Sequence, residues 1–98
     1  MIGNLNKLFE SRIRLGIMSV LMVNDWIDFR SLKELLGLTD GNLASHIKAL
    51  EKHKLVEVQK EFVDKKPKTT YKATELGRNA FNKHLDALES LLKNRKKK

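Results

Sequence analysis

Asn42, Ser45, Lys48 and Lys52 recur at intervals of three and four, which on a helix gathers them on one side. Leu43, Ile47 and Leu50 fall between them as an apolar stripe for the opposite side. With Ala49 beside them, the outward residues are small and polar enough to approach the edges of nucleic-acid bases. A carboxamide such as Asn42 can pair bidentately with adenine, the Ser45 hydroxyl can donate or accept, and Lys48 can reach guanine or a phosphate. Thr39 can cap this helix, and Gly41 in its first turn has no side chain to hold the backbone away, so free N–H groups there suit a phosphate oxygen. Asp40 in the same turn opposes an anion, although it complements the helix dipole. The plainer reading is a solvated face, the default for any amphipathic helix.

A second basic group, Lys65, Lys66 and Lys68, surrounds the only proline, Pro67. A short stiff loop with outward charges suits backbone phosphates or a minor groove. Lysines at a hairpin tip also guard strand edges against aggregation, and both roles can hold together. Other constellations carry less chemistry. His46 and His53 lie seven apart and His84 stands elsewhere, which leaves a metal without third and fourth ligands, so neither metal nor cofactor is expected. Asp25 and Asp28 bracket Trp26, where turn and cap roles are commoner than acid–base work. Trp26 itself is expected in the core as a large apolar anchor. There is no Gly-rich phosphate loop and no activated nucleophile, so an enzyme is not expected.

The 98 residues include 20 Lys and Arg against 12 Asp and Glu, for a formal charge of +8, and contain no cysteine. That excludes a disulfide framework, a thiolate metal cage and a cysteine nucleophile. A hydrophobic content of 41% argues against disorder, so core burial and self-association must supply stability. The excess charge is C-terminal: residues 1–55 hold 8 basic and 6 acidic side chains, residues 56–98 hold 12 and 6. A basic domain makes a polyanion a fitting partner. The longest nearly continuous apolar run, Leu15 to Val23, is far shorter than the roughly 20 residues of a membrane span. Met1 to Leu8 lack a secretory pattern, so the chain reads as cytoplasmic, without a membrane partner.

The elements that must position these groups follow from periodicity. One domain is expected over 1–98. Ser11 caps a first helix over 11–23, the close of an N-terminal helix region at 1–23 that carries Ile13, Ile17, Met18, Leu21 and Met22. Trp26 to Phe29 reads as a brief strand. Ser31 and Glu34 form a capping box for a second helix over 31–36, ended by Gly37. With the helix after Thr39 this makes a helix-turn-helix at 31–54. From Leu55 the period becomes two, with Val56, Val58, Lys60 and Phe62 on one side of a half-buried strand. A loop at 64–67 leads to a second strand, Thr69 to Ala73, with Tyr71 facing in, so a hairpin occupies 55–73. Thr74 caps a last helix over 74–93, and 94–98 is a basic tail. Leu76 and Phe81 are expected in the core. Leu85, Leu88, Leu91 and Leu92 lie beyond the domain body and need another surface, which Leu5, Leu8 and Phe9 have the spacing to join. This order of elements is that of a winged helix-turn-helix: mostly α, with a small β-hairpin.

The segments Leu38-Thr39-Asp40-Gly41-Asn42-Leu43 and Lys66-Pro67-Lys68-Thr69-Thr70-Tyr71 also make the chain resemble the compact winged-helix transcriptional regulators related to the MarR and ArsR families. The resemblance spans about Leu8 to Leu92. It implies a homodimeric regulator that binds double-stranded DNA sequence-specifically, with N- and C-terminal dimerisation helices, the third helix in the major groove and the hairpin as a wing. Carried over by residue, it sets Thr39, Asn42, Ser45, His46 and Lys48 against DNA and Lys65, Lys66 and Lys68 on the wing. A two-fold dimer holds its third helices about 34 Å apart, one DNA turn, which predicts a pseudopalindromic site. The chain departs from those families in being shorter than typical MarR-like proteins and in lacking the cysteines of many ArsR-like metal sites, so no effector is assigned. The competing reading is a winged protein-interaction module without DNA specificity, its C-terminal seam the binding surface and its lysines merely solubilising.

Overall fold

In the computed structural model, which describes residues 2–96 and the side chains of 2–93, Ser11 accepts the Arg14 amide at 3.3 Å and opens α1 (Arg12–Val23). Ile17, Met18 and Leu21 of this helix are buried. Two 3-10 turns precede it, Ile2–Asn4 and Lys7–Glu10.

Asp28, not Ser31, opens α2 (Phe29–Leu36). Its carboxylate accepts the Ser31 amide at 3.1 Å and the Ser31 hydroxyl at 2.6 Å. The hydroxyl is the main reason the Asp28 carboxyl is held below the usual aspartate range. Glu34, the expected partner in a capping box, instead pairs with Arg30 at 3.3 Å. A carboxylate is the stronger acceptor for an orphan helix amide, so it displaces the start of the helix toward the N-terminus. The brief strand contracts to β1 (Ile27–Asp28). Trp26 is thereby left outside the core, 37% exposed, with the Lys72 ammonium 5.6 Å from its ring centre. The expected core anchor is a surface cation–π partner.

Gly37 ends α2 at φ 63°, and its amide and that of Leu38 return to the carbonyls of Glu34 and Lys33 at 3.3 and 3.1 Å. This left-handed turn aims the chain into α3 (Asp40–Lys52). Lys54 ends α3 in the same way, at φ 62°.

β2 (Val56–Val63) and β3 (Lys66–Ala73) pair antiparallel, with β1 on the other edge of β3, so the sheet order is β1-β3-β2. The turn between them is tighter than the loop expected at 64–67. Only Asp64 and Lys65 lie outside the strands, at φ 53° and 66°, and Pro67 is within β3 opposite Phe62. Both turn residues having positive φ is the signature of a type I′ hairpin, whose twist matches that of the strands. The expected half-burial of β2 holds only at its base. Val56 is buried and Val58 half-buried, but Lys60 and Phe62 are exposed because the hairpin outruns the helices that cover it.

Thr74 joins hairpin to helix as expected, accepting the Gly77 amide at 2.9 Å and donating to the Lys54 carbonyl at 2.7 Å. Gly77 lies so near the Leu55 backbone carbonyl that any Cβ would collide with it. α4 (Glu75–Lys96) then extends past the expected end at 93 and takes in part of the basic tail. Lys97 and Lys98 lie outside the described residues. Phe81 is buried as expected, whereas Leu76 is 55% exposed on the other side of the helix. Among the described residues, no helix is long and apolar enough to cross a membrane.

Candidate nucleic-acid interface

The side of α3 that holds Leu43, Ile47 and Leu50 is fully sheltered, against α1 and the base of β2. Burying those three stabilises the helix by about 1.5–3 kcal/mol each and fixes its rotation about its own axis. Asn42, Ser45, Lys48 and Lys52 are therefore held outward and exposed, with Ala49 half-buried at their margin.

Three details favour an anion at the start of this helix. Thr39 accepts the Asn42 amide at 3.2 Å, which leaves its hydroxyl hydrogen free to donate. Asp40, the carboxylate that opposes an anion there, is paired with Lys33 at 2.9 Å. A Cβ on Gly41 would meet nothing within 4 Å, and its φ is not positive, so nothing in the chain's own packing requires glycine. Glycine leaves the backbone of the first turn uncovered.

His46 departs from the outward set. It is half-buried, and its Nδ1 lies 3.0 Å from the Arg14 guanidinium, an N–H donor, so this ring nitrogen accepts. Arg14 is itself fixed by donating from Nε to the Leu8 carbonyl at 2.6 Å. His46 thus ties α3 to α1 at the margin of the surface. Nothing in the spacing of residues revealed this, because Arg14 is distant in sequence.

On the hairpin, Lys65 occupies the turn and Lys66 stands opposite Val63, while Lys68 stands opposite Glu61 in the ladder. All three are exposed. Among the described residues, Lys48, Lys52, Lys65, Lys66 and Lys68 take part in no ion pair, unlike Lys72, which pairs with Asp25 at 3.6 Å. Lys60, on the face of Phe62, adds an exposed cation that the alternating pattern had set on the half-buried side. The clue available in the sequence was its own charge, since an unpaired lysine is rarely buried.

The residues expected at a subunit interface divide. Leu85, Leu88 and Leu92 are exposed along α4, and Leu91, Leu5 and Leu8 are half-buried. Phe9 is instead a core residue, its ring edge-on to Phe81 and His84 at 5.3 Å from each. The Asn6 amide donates to His84 Nδ1 at 3.0 Å, which folds the N-terminal segment back and drives Phe9 inward.

Comparison with known proteins agrees with this architecture. An uncharacterized protein of Methanocaldococcus jannaschii is 40% identical over 88 residues, which is 90% of this chain and 96% of that one. The structure of a transcriptional regulator homologue protein from Pyrococcus horikoshii OT3 superposes with a TM-score of 0.78 at 32% identity, over 90% of this chain and 92% of that one. A MarR-family transcriptional regulator from Silicibacter pomeroyi shares the fold at a TM-score of 0.66 and 18% identity, over 85% of this chain and 55% of that one. Residues 13–92 match the model of a winged helix DNA-binding domain. With most of its length in that match, the chain belongs to the winged helix DNA-binding domain family.

Proposed function

We propose that this protein is a dimeric transcriptional regulator that binds double-stranded DNA sequence-specifically, with α3 in the major groove and the β2–β3 wing on phosphates or in the minor groove. The observation that carries the reading is the fixed rotation of α3, which commits Asn42, Ser45, Lys48 and Lys52 to solvent while its apolar stripe is buried. The wing lysines are exposed and free of ion pairs among the described residues, and add further cations for a polyanion. Asn42 and Ser45 read base edges, Thr39 and Gly41 seat a phosphate at the start of the helix, and Lys52, Lys65, Lys66 and Lys68 supply charge. The exposed leucines of α4 support dimerisation, because a row of leucines costs free energy in water unless a second surface covers it. A two-fold axis through that seam sets the two recognition helices about one DNA turn apart and gives a pseudopalindromic operator.

Titration against operator fragments selected from a random duplex pool tests the reading. Contact with roughly 6 to 8 phosphates gives a fall of log affinity with log salt of slope about −5 to −7. A response independent of salt refutes it.

A further inference from the structure

Phe62 is 78% exposed, more than any core-sized residue of the hairpin, and it stands in a regular ladder directly opposite Pro67. Strand alternation puts both side chains on the face that carries Val56, Val58, Tyr71 and Ala73, beyond the point where the helical body stops covering it. Phe62 therefore continues, in the open, the face that turns toward the helices. Lys60 lies two residues before it on the same face, Lys65 occupies the turn, and Lys66 follows it. An aromatic ring with a rigid proline beside it across the ladder is costly in water, and Phe62 stands outside the core cluster. The tip also carries Glu61 and Asp64, but against Lys60, Lys65, Lys66 and Lys68 its charge is net positive, which matches a polyanion, and the exposed edge of a ring matches the apolar faces of bases.

We propose that Phe62, flanked by Pro67, is an apolar wedge that enters the DNA minor groove and partly unstacks a base step, while Lys60, Lys65 and Lys66 hold the flanking phosphates. This rests on the DNA-binding reading above. It adds that the wing selects for deformable steps rather than reading base edges, since pyrimidine–purine steps open at least cost. The wedge would thus contribute specificity at positions that α3 does not touch.

The test uses the full chain and a selected duplex carrying 2-aminopurine at successive positions outside the α3 contacts, with donor and acceptor dyes at its ends. Wild-type protein is expected to raise 2-aminopurine fluorescence at one step per half-site and to shorten the end-to-end distance. Phe62→Ala is expected to abolish both signals and weaken binding roughly tenfold, with an unchanged salt slope and an unchanged melting temperature. Phe62→Leu is expected to restore part of the distortion. Salt-dependent binding by wild type without unstacking or bending overturns the wedge and leaves the DNA-binding reading standing, whereas absence of salt-dependent binding overturns both. A shift of the monomer–dimer equilibrium by Phe62→Ala in sedimentation, with the DNA distortion intact, also overturns the wedge, because the ring then serves a protein contact.

Discussion

Lys65→Gly separates what the wing does for the fold from what it does for DNA, because the two effects have opposite signs. Lys65 sits at φ 66° in the two-residue turn beside Asp64 at φ 53°. An L-residue there carries about 1–2 kcal/mol of steric cost that glycine avoids. Glycine also gives the unfolded chain more freedom, which returns about 0.5–1 kcal/mol. The net expectation is a gain of about 0.5–1 kcal/mol, or roughly 2–5 °C in melting temperature for a domain of this size. The lost ammonium removes one phosphate contact, so the salt slope becomes shallower by about 0.9. Thermal melting, amide exchange at Val63 and Lys66, and DNA titration at several salt concentrations measure the two effects independently. Lys65→Asn, uncharged but tolerant of the left-handed region, should match glycine on DNA and fall short of it in stability. A lower melting temperature for Lys65→Gly refutes the backbone argument. An unchanged salt slope refutes the placement of Lys65 on a phosphate.

Further outcomes follow from the same geometry. Asn42→Ala is expected to cost about 1–3 kcal/mol of DNA affinity and to relax preference at one base position, while Lys66→Ala weakens all sequences alike; binding to a panel of single-base operator variants distinguishes them. Asp28→Ala removes the cap of α2 and is expected to cost about 1 kcal/mol near neutral pH. Because folding lowers the Asp28 pKa, its stabilisation is present above the ordinary aspartate range and disappears as pH falls through the folded value. Denaturant melts of wild type and variant should therefore converge in acid. Leu88→Lys, on the exposed side of α4, is expected to weaken the dimer by about 3 kcal/mol, since each of two copies loses about 1.5 kcal/mol of burial. Sedimentation equilibrium reads this directly, and a dimer of undiminished strength removes α4 from the interface.

Much of the local structure that positions the candidate site is legible in the sequence. The three caps at Ser11, Thr39 and Thr74 and the rotation of α3 follow from local rules, in which a side chain answers an amide three residues on or a stripe repeats every turn. The misreadings share a different cause. Ser31 has the right spacing to cap the Glu34 amide, but Asp28, three residues earlier, accepts the Ser31 amide and hydroxyl and starts the helix ahead of it, and a pattern match does not rank two overlapping caps. Phe9 has the spacing of an interface, yet the Asn6 to His84 bond across most of the chain turns it inward.

What the sequence determined by itself is the set of local elements and which stripe of each is apolar, because hydrogen bonding and hydrophobic periodicity act over a few residues. Where coverage stops depends instead on contacts between distant segments. Alternation put Phe62 beside Val58 and could not tell that the helical body ends between them, composition could not show that Trp26 lies at the surface beside Lys72, and spacing could not bring Arg14 to His46. Burial belongs to the neighbour that covers a residue, and those neighbours are set by chain segments that meet only once the domain has folded.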